Sequence, residues 1–315
     1  VAERLDERLT IATARLIGRP LSPQDRIGIA VSGGADSMAL LSAAALCWPG
    51  AVEAATVDHG LRPEARDEAA MVADWCAGQG ISHTTLAFDA PLAGNLQASA
   101  REGRYALLEG WRRTRDLNWL MTGHQADDQL ETILLRLNRG AGVGGLASVR
   151  ARRGVLLRPL LGERRAALRA WCTARGVPFV DDPSNEDMRF DRVRMRRELA
   201  GLDLVDRAGL ARSVDALADA DAALAWTTDT IADESLVLGG DSAVLNRTDL
   251  PPEILRRLLT RMIAYLNPGA EKPRGPSLDQ ALVQLFDGKA MTLADCVVTG
   301  GRIWTMRRAP PRKAR

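Results

Sequence analysis

The chain has 315 residues, a formal charge of +2 and a hydrophobic share of 46%. That is enough to bury two domain cores, and the near-neutral balance excludes a molecule that is basic throughout, so any affinity for a polyanion must be local. The longest apolar stretches, such as Met38–Trp48, are too short or too interrupted to cross a bilayer. The start VAERLDERLT is charged and helix-like, without a secretory pattern, and a soluble cytoplasmic protein is expected.

In chain order, Ile27–Val31 reads as a short strand ending at a glycine-rich turn. Met38–Trp48 is helical and stops at Pro49-Gly50. A second strand, Ala51–Val57, leads through polar Asp58–Arg62 into helical Glu64–Cys76. His83–Phe88 is a third strand, Gln97–Trp111 a helix, Leu117–Met121 a fourth strand, and Ala126–Leu137 a helix that ends before Gly140. Val155–Leu157 is a fifth strand and Glu163–Arg175 another helix. Strands alternating with helices predict an α/β domain with a mostly parallel sheet. The cysteines, Cys47, Cys76, Cys172 and Cys296, form no CxxC pair and no zinc-like spacing, and read as small buried hydrophobes.

From about Asp203 the texture changes. Val205–Thr227, Pro251–Leu266 and Leu278–Phe286 look helical, with short segments Leu236–Leu238 and Ala243–Leu245 between them. Asn267–Pro276 is a Pro- and Gly-rich loop, and Ala309–Arg315 a basic tail. The expectation is a catalytic domain over 1–204 and a smaller, mainly helical domain over 205–315.

Parallel sheets place ligands beyond the carboxyl ends of their strands. Here those ends carry Ser32–Ser37, Asp58-His59 and Thr122–His124, the most polar and glycine-rich junctions of the region. In IGIAVSGGADS the glycines let a phosphate approach the backbone, and the following helix turns its free amides toward it. Asp36 repels a bare phosphate, so it implies a divalent cation between the two. No lysine follows the glycines, so the chemistry does not clamp β- and γ-phosphates in the common nucleotide-hydrolase way. Gly140–Gly145 satisfies G-x-G-x-x-G but follows a helix, with no clear helix after it, which is the wrong context for a dinucleotide site.

The stretch TGHQADDQLET places His124, Asp127, Asp128 and Glu131 after the fourth strand. Asp127 and Asp128 stand four and three residues before Glu131, so either can share a helix face with it. Two such carboxylates could hold a metal or grip a cationic substrate. Arg101 and Arg104, and Arg136 and Arg139, are each three apart and form the basic side of the region, suited to a phosphoryl or nucleotidyl transition state. Arg189, Arg192, Arg194, Arg196 and Arg197 crowd into nine positions, with Phe190, Val193 and Met195 between them, in a chain with only three lysines. That cluster suits a nucleic-acid backbone.

The ordered motifs resemble a known family. SGGADS at Ser32–Ser37 resembles the signature of the PP-loop ATP pyrophosphatases, which cleave ATP between the α- and β-phosphates. VDHGLR at Val57–Arg62, REGRYALL at Arg101–Leu108, TGHQADDQLETILLRLNRGAGVGGL at Thr122–Leu146, RPLL at Arg158–Leu161 and DDPSNEDMRFDRVRMR at Asp181–Arg196 together resemble the tRNA(Ile)-lysidine synthetases. The resemblance implies an adenine nucleotide alpha hydrolase-like PP-loop domain, with ATP and Mg2+ as cofactors. It implies that L-lysine is ligated to C2 of the wobble cytidine, position 34, of tRNA(Ile) with the CAU anticodon. The route would be an adenylated intermediate, with release of AMP and pyrophosphate. Taken with the junctions above, it gives catalytic roles to Asp36, Arg104, His124, Asp127, Asp128, Glu131 and Arg139. Nucleotide contacts are expected from Ser32, Gly33, Gly34, Ala35, Asp36, Ser37, Asp58 and His59, and tRNA contacts from Arg101, Arg189, Arg192, Arg194, Arg196 and Arg197, with Asp36 as the metal ligand. Members of the family often form homodimers, although no pattern in this sequence speaks to one. The chain departs from the family pattern at Gly103, where alanine is expected, and at Gln125, where a second histidine is common; the Gly103 change is read as affecting helix propensity alone.

Overall fold

The computed structural model describes residues 4–58, 64–88, 96–147, 149–181, 191–199 and 206–310. They form two compact units, Val1–Arg136 with Ser148–Asp215 and Leu137–Ala147 with Ala216–Arg315. The glycine-rich segment after residue 136 thus groups with the second unit rather than with its sequence neighbours.

The first unit runs α1 (Leu5–Ile17), β1 (Ile27–Ala30), α2 (Ala35–Cys47), β2 (Val52–Asp58), α3 (Glu64–Gly78), β3 (Ser82–Ala87), α4 (Leu96–Thr114), β4 (Trp119–Thr122) and α5 (Ala126–Leu137). After α6 (Val143–Leu146), which lies in the second unit, it resumes with β5 (Arg152–Arg153), β6 (Leu156–Leu157), α7 (Arg165–Arg175) and α8 (Asp191–Leu199). The sheet order is β3-β2-β1-β4-β6-β5. All its pairings are parallel except β5 with β6.

β1 is buried along its whole length, as an apolar strand covered on both faces must be. Gly28 lies where the Trp111 ring crosses the strand; a Cβ there would come within 2.5 Å of the ring. The chain leaves β1 for β2 and β3 on one side and returns to β4 on the other. That reversal opens a crevice between the carboxyl ends of β1 and β4, the usual ligand position in such sheets.

Gly103 has a packing role that helix propensity does not express. The Phe88 ring lies 2.4 Å from where a Cβ would sit, so alanine would displace the ring. Helix propensity alone therefore does not account for this glycine.

The second unit contains α6, the later part of α9 (Arg207–Ser235), α10 (Pro252–Leu266) and α11 (Gly275–Phe286). Its strands β7 (Leu236–Gly239), β8 (Ser242–Leu245), β9 (Ala290–Leu293), β10 (Cys296–Thr299) and β11 (Trp304–Arg308) form an antiparallel sheet in the order β7-β8-β11-β10-β9. Helix still outweighs strand. Leu255, Leu258, Leu259 and Met262 on one face of α10 share a core with Ala243, Val298 and Trp304. β9 and β10 meet at Ala294 and Asp295, both at positive φ (50° and 55°). An alanine in that conformation carries no turn signature, which is why this hairpin was invisible in the sequence. Val143–Leu146 forms the short α6 with Gly142 as its N-cap, and a Cβ on Gly144 would lie 2.8 Å from the Asp221 carboxylate of α9. Of the three glycines in the G-x-G-x-x-G string, Gly140 sits at φ +65°, Gly142 caps α6, and a Cβ on Gly145 would lie 2.8 Å from that of Ala141.

Candidate active site

The phosphate-loop geometry starts from Gly33, at φ +82°, a conformation that glycine adopts without strain. Gly34 caps α2 in extended conformation, leaving the first amides of the helix at the loop. Ser37 ties the loop together. Its hydroxyl accepts the Ser32 N–H at 3.1 Å, donates to the Gly34 carbonyl at 2.9 Å, and stands 3.3 Å from the Ser32 hydroxyl. From downstream, the Val180 N–H donates to the Gly33 carbonyl at 3.0 Å.

At the other lip of the crevice, Gly123 follows β4. A Cβ there would lie 2.9 Å from the carbonyl of Asp36 and from Cα of Ser37, so only glycine lets this loop reach the first turn of α2. His124 Nδ1 is 2.9 Å from the hydroxyl of buried Thr122, which fixes the ring. Gln125 is fully buried, and its side-chain oxygen accepts the N–H of Asp127, capping α5. An imidazole would lack that amide oxygen, so Gln125 has its own structural task here.

A cavity of about 580 Å³ joins these lips. Ser32, Gly34, Ala35, Asp36 and Ser37 line one wall, His124 and Asp128 another, and Arg104 comes from α4. Thr56 and Val57 of β2 reach it, whereas Asp58 at the strand end is not part of its lining. His59 and Arg189 lie outside the described residues, as do the side chains of Arg101 and Arg192. Arg139 is exposed, in the second unit.

Two cavity residues come from α7 and were not anticipated: Arg165 and Arg169. Arg165 is a hub. Its Nη2 donates to Asp128 at 2.8 Å, while Nε stands 3.6 Å from Asp36 and Nη1 3.6 Å from Glu131. Glu131, only 3% exposed, is also gripped by Arg196, with Nε at 2.8 Å and Nη2 at 3.3 Å. Arg196, expected on the nucleic-acid surface, is thus turned toward the cavity. Its neighbours Arg194 and Arg197 are exposed, with Arg194 paired to Asp191. Arg158 of RPLL is buried and donates to the Arg150 carbonyl at 2.7 Å.

Burial, then the charge of Asp128, push the Asp36 carboxyl up to about 6, with Arg165 opposing. Gln125 also opposes the rise without reaching hydrogen-bond geometry, and Asp36 Oδ1 is a buried oxygen with no hydrogen-bond partner. Asp128 is raised too, by burial, although Arg165 pulls it down. Two carboxyls thus resist ionisation beside the phosphate loop, with the Arg165 guanidinium against both.

Comparison with known proteins shows the family. A family model described as a PP-loop domain matches residues 5–202. The tRNA(Ile)-lysidine synthase of Zymomonas mobilis is 41% identical over 308 residues, covering 95% of this chain and 92% of that protein. That of Novosphingobium aromaticivorans is 42% identical over 304 residues, covering 93% and 92%. Among solved structures, the U34-tRNA thiolase NcsA from Methanococcus maripaludis superposes with a TM-score of 0.57 at 14% identity, covering 67% of this chain and 78% of that one. At that identity the likeness concerns the fold alone. The fold and loop define a PP-loop ATP-binding enzyme. Within that class, the chain belongs to the tRNA(Ile)-lysidine synthase family and is an ATP-dependent ligase. Among the described residues, no helix is long and apolar enough to cross a membrane.

Proposed function

We propose that this chain ligates L-lysine to C2 of cytidine 34 in tRNA(Ile) with the CAU anticodon, in two steps within the one cavity. In the first, the cytidine O2 attacks the α-phosphorus of ATP; the bond from that phosphorus to the oxygen bridging to the β-phosphate breaks, and pyrophosphate leaves. In the second, the ε-amine of lysine attacks C2, the C2–O bond breaks, AMP leaves, and the amine proton passes to a base. The observation that carries this reading is the single cavity joining the Ser32–Ser37 loop to the acidic group of Asp36 and Asp128. One end suits phosphates, and the other suits a cationic amine.

The Ser32 and Ser37 hydroxyls and the α2 amides would orient the α-phosphate. Asp36 fits Mg2+ through its unpartnered buried Oδ1. Among the described residues no cluster of three or more His, Cys, Asp or Glu could hold a metal alone, so Asp36 would share the ion with phosphate oxygens, as Mg2+ commonly requires. When bound, the ion neutralises phosphate charge. Asp128 would receive the lysine ammonium, whose ordinary pKa near 10.4 means that a proton must leave before attack. None of the cysteines lines the cavity, which disfavours sulfur transfer. Exposed Arg194 and Arg197 would contact tRNA phosphates, and the protein would act in the cytoplasm with residues 205–315 adding to the tRNA contact. A homodimer is the accompanying oligomeric proposal. The test is incubation with ATP, Mg2+, labelled lysine and tRNA bearing CAU. Lysine incorporation matched by pyrophosphate release is expected; ATP binding with no product would overturn the reading.

A further inference from the structure

We propose that Arg165 and Arg169 together bind the β- and γ-phosphates of ATP and hold the departing pyrophosphate. This rests on the reading above that ATP is cleaved between its α- and β-phosphates. The phosphate loop Ser32–Ser37 contains no cation of its own, so the outer phosphates need positive charge from elsewhere. Among the described residues, the arginines lining the cavity are Arg104, Arg165, Arg169 and Arg196. Glu131 already engages both Nε and Nη2 of Arg196. Arg165 and Arg169 are four apart on one face of α7, and both line the cavity.

Both are held in ways a phosphate can displace. Arg165 makes one side-chain contact of hydrogen-bond length, to Asp128, and its other two carboxylate neighbours stand at 3.6 Å. Arg169 places its fork on Asp181 with two bonds of 2.6 Å, but Asp181 is 69% exposed, so water screens the pair and a phosphate can reach the fork. A phosphate offers the same fork geometry with more charge. Once Asp181 is displaced, the Phe179 ring, 4.8 Å from the Arg169 guanidinium carbon, keeps the side chain oriented. The Val180–Gly33 hydrogen bond fixes this segment against the phosphate loop.

The test is calorimetric binding of ATP, inorganic pyrophosphate and AMP, with Mg2+ present, to the whole chain and its variants. Arg169→Gln and Arg165→Gln should each lower ATP and pyrophosphate affinity roughly tenfold, about 1.4 kcal/mol, with AMP affinity held within about twofold. Asp181→Asn should tighten pyrophosphate binding several-fold, because it releases the Arg169 fork; a purely structural latch would instead weaken it. Arg169 is half exposed, so its variant tests the idea even where Arg165→Gln folds poorly. Unchanged pyrophosphate affinity in the arginine variants, AMP affinity falling in step with ATP, or weaker binding by Asp181→Asn would each overturn the proposal. Wild-type protein that binds pyrophosphate yet transfers no lysine would sink the proposed function while leaving the arginine pair standing.

Discussion

The carboxylate of Asp127 accepts the backbone N–H of Arg165 at 2.9 Å. In return the Glu163 carbonyl accepts the Ala126 N–H at 2.9 Å, so the first turns of α5 and α7 cap each other. Arg8 of α1 grips Glu163 from behind with bonds of 2.7 and 2.9 Å. This lock sets where Arg165 enters the cavity. Asp127→Ala should lower stability by about 1 kcal/mol through the lost cap. Asp127→Asn, which keeps an acceptor oxygen, should retain most activity. Thermal unfolding and lysine transfer check both; an inactive but stable Asp127→Asn would instead assign that carboxylate to the chemistry.

Gly123→Ala should cost roughly 1–3 kcal/mol, because the new methyl meets backbone rather than a flexible side chain. The strain falls on Asp36 and Ser37, so ATP affinity should drop with the melting temperature. A variant with wild-type ATP affinity would show that the loop tolerates displacement.

Asp36 predicts a pH dependence. Its carboxyl is raised in the folded chain from 3.8 to about 6. Its stabilising contribution is therefore fully present below 3.8 and is lost as pH rises through about 6. A cation needs the ionised form, so apparent Mg2+ affinity should fall about tenfold per pH unit below 6. Titration of Mg2+ at fixed ATP between pH 5 and 8 measures it, and Asp36→Asn should flatten the profile.

Glu131→Ala should destabilise by about 3–5 kcal/mol, since it leaves Arg165 and Arg196 facing one another without the buried carboxylate between them. Urea unfolding and lysine saturation would separate this structural loss from loss of the amine site. A stable Glu131→Ala with a raised lysine requirement would place Glu131 at the substrate.

For tRNA, Arg194→Ala and Arg197→Ala should each reduce the slope of log affinity against log salt by roughly 0.7–0.9. Arg196→Ala should act chiefly on stability and chemistry through Glu131. Filter binding across a salt series distinguishes the two classes.

The first unit was legible because its signals are local. Apolar runs such as Ile27–Val31 end at glycine-rich polar junctions, and the strand–helix alternation sets the topology. What stayed hidden depended on tertiary contact. Arg165 and Arg169 looked like ordinary helix residues in an arginine-rich chain, and only the packing of α7 brings them to the cavity. Arg196 belonged by sequence to a basic cluster, yet the fold pairs it with a carboxylate 65 positions earlier. Gly103 made sense only beside Phe88. β9–β11 are short, and β9 meets β10 at an alanine held at positive φ.

The hydrogen bond from Val180 to Gly33 carries a consequence for biogenesis. During synthesis the ribosome releases β1 and α2 long before the partner that steadies their connection has been translated. A nascent chain arrested ahead of residue 177 would contain every strand of the large sheet and still present a slack nucleotide pocket. Competence for ATP should therefore arrive late and abruptly as the chain lengthens.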